Sequence, residues 1–154
     1  MMVTNALGVF MFITALIVAE GSWGSAGKKR NSHSYDLSSR SDLTKLFNSK
    51  VYEAERVTRP LHGKNKEKGI FSHSGVRVTL EDGTKWLVHK GKGNGLSSQT
   101  VVVDARHMSN KWRSEKPKNF DGKKTVSDLV KAGGTKYSLL FNNCHNAARR
   151  MMKD

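Results

Sequence analysis

A chain of 154 residues is long enough for one domain with a buried core, and its single cysteine excludes a disulfide framework. Lys and Arg number 27 against 13 acidic residues, a formal net charge of +14. Such a surface selects polyanionic partners, here an anionic phospholipid surface or a sulfated glycan; with no aromatic-rich nucleic-acid motif, nucleic acid is not expected.

The first nineteen residues carry no charged side chain. Ala6 to Ala19 is an apolar block followed by small residues at Gly21-Ser-Trp-Gly-Ser-Ala26, the pattern of a signal peptide over residues 1–26. A secreted chain with a mature start between Ser22 and Gly27 is expected. Residues 27–41, from Lys28-Lys-Arg30 through the Ser-rich stretch, read as a flexible basic arm. Residues 42–154 read as one domain, expected as a monomer.

Ser41 can cap a helix over about Asp42 to Val57, with Leu43, Leu46, Phe47, Val51 and Ala54 on one face and Arg59-Pro60 ending it. His62 to Gly69 reads as a polar loop. From Ile70 the period changes to two, with Ile70, Ser72, Ser74, Val76, Val78 and Leu80 on one face and Phe71, His73, Gly75, Arg77 and Thr79 on the other. Glu81-Asp-Gly-Thr84 is a hairpin turn and Lys85–Lys90 the returning strand. Gly91 to Ser98 is a loop, and Thr100–Asp104 a third, buried strand.

Ala105 to Lys124 reads as irregular and basic. Lys111, Trp112, Arg113, Lys116 and Lys118 form a candidate anion-surface site within it, against the plainer reading of Trp112 as a partly buried loop anchor. Thr125-Val-Ser-Asp128 resembles a capping box opening a short helix that ends at Gly133-Gly134. Tyr137 to Phe141 reads as a strand whose buried end is Leu139, Leu140 and Phe141. Asn142 and Asn143 then supply a turn and an N-cap, and Ala147, Ala148, Met151 and Met152 recur at helical spacing. The pattern is α+β, an antiparallel sheet packed against a Cys-bearing helix.

Cys144 falls in the first turn of that last helix, where unpaired N–H groups and the helix dipole favour a thiolate. A lone Cys among apolar residues is otherwise a small buried hydrophobe. A thiol nucleophile needs a base, and there are six histidines. His33 and His62 lie in loop segments. His145, next to Cys144, points about 100° away along the helix and reads as an exposed side chain. His73 and His89 sit in two strands of one hairpin. No cysteine pair or tight histidine spacing points to a metal, and no cofactor is expected.

Ser72-His73-Ser-Gly-Val-Arg-Val-Thr-Leu-Glu-Asp-Gly83, Trp86-Leu-Val-His89 and Tyr137-Ser-Leu-Leu-Phe-Asn-Asn-Cys144-His together resemble the lecithin retinol acyltransferase family, permuted relatives of the NlpC-type cysteine peptidases. The resemblance spans roughly 70 to 92 and 136 to 152. It implies a permuted papain-like fold with Cys144 as nucleophile, His73 as general base and His89 as the residue orienting it. It also implies an acyltransferase or hydrolase acting on an ester or amide, with a lipid acyl group favoured. The chain departs from the family in having His145-Asn146-Ala147 where Glu-His-Phe follows the cysteine. Against the family pattern no C-terminal membrane anchor is expected after the last helix, and the stretch between His89 and Cys144 is short.

Hairpin register decides whether the histidines can meet. A two-residue Asp82-Gly83 loop pairs Glu81 with Thr84 and puts His89 opposite Val76, on the face away from His73. A three-residue loop, Asp82 to Thr84, pairs Glu81 with Lys85 and brings His89 opposite Arg77, on the face of His73. In the first register His107 or Asp104 becomes the fallback third residue. The competing reading is a non-catalytic secreted basic protein of the same fold that binds anionic membranes or glycans.

Overall fold

The computed structural model describes residues 37, 39–61, 72–91, 99–138 and 141–153. The leader, nearly all of the arm, His33, His62, Ile70, Phe71, Leu139, Leu140 and the loop after Gly91 lie outside these residues. The chain runs α1 (Arg40–Asn48), β1 (Lys50–Pro60), β2 (Ser72–Leu80), β3 (Lys85–Lys90), β4 (Thr100–Asp104), a 3₁₀ turn (Ala105–His107), β5 (Arg113–Ser114), β6 (Lys118–Thr125), α2 (Val126–Gly133) and α3 (Cys144–Met151). The architecture is α+β. Among the described residues, one antiparallel sheet orders its strands β4-β3-β2-β1-β5, with β6 also pairing β1.

The expected helix over Asp42 to Val57 is corrected. Ser39, not Ser41, caps α1 by accepting from Asp42 N–H, and the helix stops at Asn48. Residues 50 to 60 instead form the longest strand, flanked by β2 on one side and β5 and β6 on the other. The three-residue spacing of buried Val51, Ala54 and Val57 imitates a helical stripe for two separate reasons. A bulge between Val51 and Glu53 inserts one extra residue, and Ala54 and Val57 face opposite sides of the sheet. Ala54 packs with Val76, Val78 and Val88 in the main core, whereas Val57 shares its side with Gly75 and His89.

The hairpin strands and β4 fall where expected, but β4, expected to be buried, is only half-buried along its length. Lys118–Thr125, expected to be irregular, is a strand against β1. Asp121 (φ 51°) and Gly122 (φ 72°) interrupt it in the left-handed region, which hides the strand period. Of the expected strand Tyr137–Phe141, the described residues form a single bridge, Ser138 with Asn142, and Phe141, expected to be buried, is 80% exposed.

α2 opens with the full capping box: Thr125 Oγ1 accepts from Asp128 N–H, and the Asp128 carboxylate accepts from Thr125 N–H. Val126 and Leu129 of α2, with Ala147, Ala148 and Met151 of α3, bury one face of the sheet. Gly133 lets α2 approach β4 and α3. A Cβ there would collide with Thr100 Oγ1 and lie 2.7 Å from Met151 Cε. Gly133→Ala is therefore expected to destabilise the fold by about 1–3 kcal/mol through overpacking, measured as a lowered urea midpoint at unchanged slope.

Candidate active site

Hairpin chemistry comes first, because it sets what the histidines can touch. Leu80 N–H donates to Thr84 O (2.9 Å) and Gly83 N–H to Leu80 O (3.0 Å), so the loop is Glu81–Gly83, with Gly83 at φ +79°. Asp82 Oδ1 accepts from Thr84 Oγ1 (2.6 Å) and Thr84 N–H (2.9 Å), and these bonds hold its carboxyl below the usual range. Thr79 pairs with Lys85 and Gly75 with His89. This is neither expected register: the three-residue loop begins one residue earlier. Its parity nevertheless places His89 on the same face as His73.

The two side chains meet diagonally across the strands, with His73 Nε2 and His89 Nδ1 3.1 Å apart and the rings at 87°. Gly75 makes this approach feasible, since a Cβ there would lie 2.9 Å from His89 Cβ. Both rings are buried, at 5% and 3% exposure. Burial drives His73 down to about 3, helped by His89, Arg59 and His145, and drives His89 down to about 4, helped by Arg59. At neutral pH both imidazoles are therefore uncharged.

Trp112 is half-buried and turned inward. Its ring packs on His73 (centroids 5.7 Å), and the Arg59 guanidinium lies 5.2 Å from its centroid. These contacts are those of a partly buried loop anchor. Lys111, Arg113 and Lys116 around it are exposed. Lys118 is half-buried, its ammonium 3.4 Å from Met152 O at the end of α3.

Cys144 is the first residue of α3, 6% exposed. Asn143 caps the helix by accepting from Asn146 N–H. α3 packs on the sheet face opposite the one carrying His73 and His89, and no hydrogen bond joins Cys144 to either histidine. The thiol lies instead within electrostatic reach of Arg59 and Tyr137. Arg59 also bears on both histidines, so it links the two halves of the site electrostatically.

His145 is not the exposed side chain expected. Its Nε2 donates to Ser72 O at 2.9 Å, and Arg56 Nη2 lies 3.5 Å from its Nδ1. Ser72 precedes His73 and Cys144 precedes His145, so this bond draws nucleophile and base candidates to one corner at the start of β2. Of the fallback residues, Asp104 lies opposite Trp86, three residues along β4 from Val101, the partner of His89. His107 belongs to the 3₁₀ turn that follows.

A second device holds the turn before Cys144. Lys90 is fully buried, yet among the described residues its ammonium donates only to neutral acceptors, Gly133 O (2.9 Å) and Asn142 Oδ1 (3.4 Å). Arg150 donates to Ala132 O (2.7 Å), Gly133 O (2.8 Å) and the same Asn142 Oδ1 (2.7 Å). Burial, then Arg150, pulls the Lys90 ammonium below its ordinary value. Two cations thus cap the C-terminal carbonyls of α2 and fix Asn142, two residues before the thiol. The sequence reading missed Lys90, Arg150 and Arg59. The signal for Lys90 was its place at the end of the buried run Leu87-Val88-His89.

No family model, curated protein or solved structure matches the chain. Among the described residues no three His, Cys, Asp or Glu side chains cluster as metal ligands, and no helix is long and apolar enough to cross a membrane.

Proposed function

We propose that the protein is a cysteine-dependent acyl-transfer enzyme of permuted papain-like type, secreted and basic, acting on an ester or amide, with a lipid acyl group as the favoured substrate. The carrying observation is the buried His73–His89 hydrogen bond beside the corner where Ser72 is tied to His145. Cys144 Sγ attacks the acyl carbon while its proton passes to His73 Nδ1, the ring nitrogen not engaged with His89. The scissile C–O or C–N bond breaks, and the leaving atom takes that proton from the imidazolium. Water or another acceptor then attacks the thioester, giving its proton to His73, and the C–S bond breaks to restore the thiol.

His89 orients His73, and the basic surface draws the protein to an anionic interface. Chromogenic short-chain esters test this reading. An intact-mass acyl adduct that maps to Cys144 and vanishes in Cys144→Ser is expected; hydrolysis unchanged in Cys144→Ser would overturn it.

The placement of Cys144 and the two histidines on opposite sheet faces favours a second reading, a non-catalytic binder. On that reading the exposed Lys111, Arg113 and Lys116 carry salt-sensitive binding to heparin or anionic vesicles that survives Cys144→Ala.

A further inference from the structure

The His73–His89 hydrogen bond joins two uncharged imidazoles, so a single proton lies between Nε2 of one and Nδ1 of the other. Each neutral ring carries one N–H, and the direction of this bond therefore fixes both tautomers. If His73 Nε2–H donates, His89 must carry its own proton on Nε2. That atom is buried and has no hydrogen-bond partner among the described residues. If His89 Nδ1–H donates, its Nε2 is a bare lone pair and the proton of His73 moves to Nδ1. His73 Nδ1, by contrast, is not among the buried side-chain atoms that lack a partner. An orphaned buried N–H is the rarer and more costly defect than an under-used acceptor.

We propose that in the free protein His89 Nδ1–H donates to His73 Nε2, which leaves His73 as its Nδ1–H tautomer, a donor and not a base. His89 is then the positioning residue whose tautomer decides whether the site can take a proton from a thiol. The wrong tautomer of a catalytic histidine costs orders of magnitude in rate while geometry is kept. The site becomes competent when an acceptor, such as a water molecule, meets His89 Nε2–H and lets the bond reverse. The functional consequence rests on the acyl-transfer reading; the tautomer assignment does not.

The test is long-range ¹H–¹⁵N NMR of histidine-labelled full-length protein at pH 7, with the two rings assigned through single-site variants. Protonated Nδ1 and bare Nε2 on both His73 and His89 is the expected pattern. An Nε2–H on His89 overturns the proposal. A second arm uses His89→Asp, whose carboxylate oxygen occupies the place of Nδ1 and can only accept. It forces His73 Nε2–H and frees Nδ1. Alkylation of Cys144 by iodoacetamide is expected to rise at least about tenfold over wild type, and an unchanged or slower rate in a folded variant counts against the switch. If His89→Asp does not fold, the wild-type spectrum alone decides the proposal. If the tautomers are as stated but esters give no Cys144 adduct under any condition, the acyl-transfer reading fails and the assignment stands.

Discussion

His73→Asn is expected to lower Cys144-dependent ester turnover by roughly 10²–10⁴-fold, the usual contribution of a positioned general base. The fold should survive. Asparagine fills much of the imidazole volume and leaves Trp112 supported by the Arg59 guanidinium, while its shorter amide gives up the bond that His73 Nε2 makes to His89 Nδ1. Within the pair, His89 Nε2 is buried without a partner, which leaves His73 as the ring to take the thiol proton. Turnover of a chromogenic ester, measured with the thermal midpoint, checks this result. A fall in rate at unchanged stability assigns the loss to chemistry. A variant that turns over as fast as wild type would remove His73 from the mechanism and favour the non-catalytic reading.

The parts of the fold legible in the sequence are those where local chemistry and tertiary packing agree. The capping box at Thr125 and Asp128, the Asn143 cap, and the alternation in Ser72–Leu80 and Lys85–Lys90 are short-range signals that the structure keeps. Failures occur where two periods overlap. Val51, Ala54 and Val57 have helical spacing because of a bulge and two buried sheet faces, neither visible locally. Phe141 belongs to an apolar run but sits at a turn closed by the Ser138–Asn142 backbone bonds, which leave its side chain in water.

The candidate site divides in the same way. His73 and His89 could be named because histidines inside strands are uncommon and a hairpin brings them near. The register that joins them depends on Asp82 binding Thr84, a choice among turns that differ by one residue. Lys90, Arg150 and Arg59 carry no local signal of a role, because solvated charge is the ordinary fate of such residues. Burial of a cation against the end of α2 is a tertiary event. His145 shows the same limit, since its role depends on the carbonyl of Ser72, a residue 73 positions away.

Acidification from pH 7 to pH 5 is expected to remove about 4 kcal/mol of folding stability through the histidine pair alone. In the unfolded chain each imidazole titrates near 6.5, whereas burial keeps His73 neutral down to about 3 and His89 down to about 4. Between those limits the unfolded state binds protons that the native state does not, so stability rises with pH up to about 6.5 and is lost as pH falls toward 4 and 3. At pH 5 both native rings are uncharged, and each contributes about 2 kcal/mol of the loss. That is a large share of the 5–15 kcal/mol typical of a domain. The carboxyls of Asp82 and Asp128, held low by hydrogen bonds to Thr84 and Thr125, lose their contribution only at more acid pH. They cannot imitate the effect in this window. Urea unfolding at pH 7, 6 and 5 measures it, and His73→Asn should roughly halve the slope. A wild-type stability flat from pH 7 to pH 5 would mean that both rings take up protons in the native state as they do in the unfolded chain. The two rings would then not both be neutral in this window, and the tautomer argument built on their bond would fall as well.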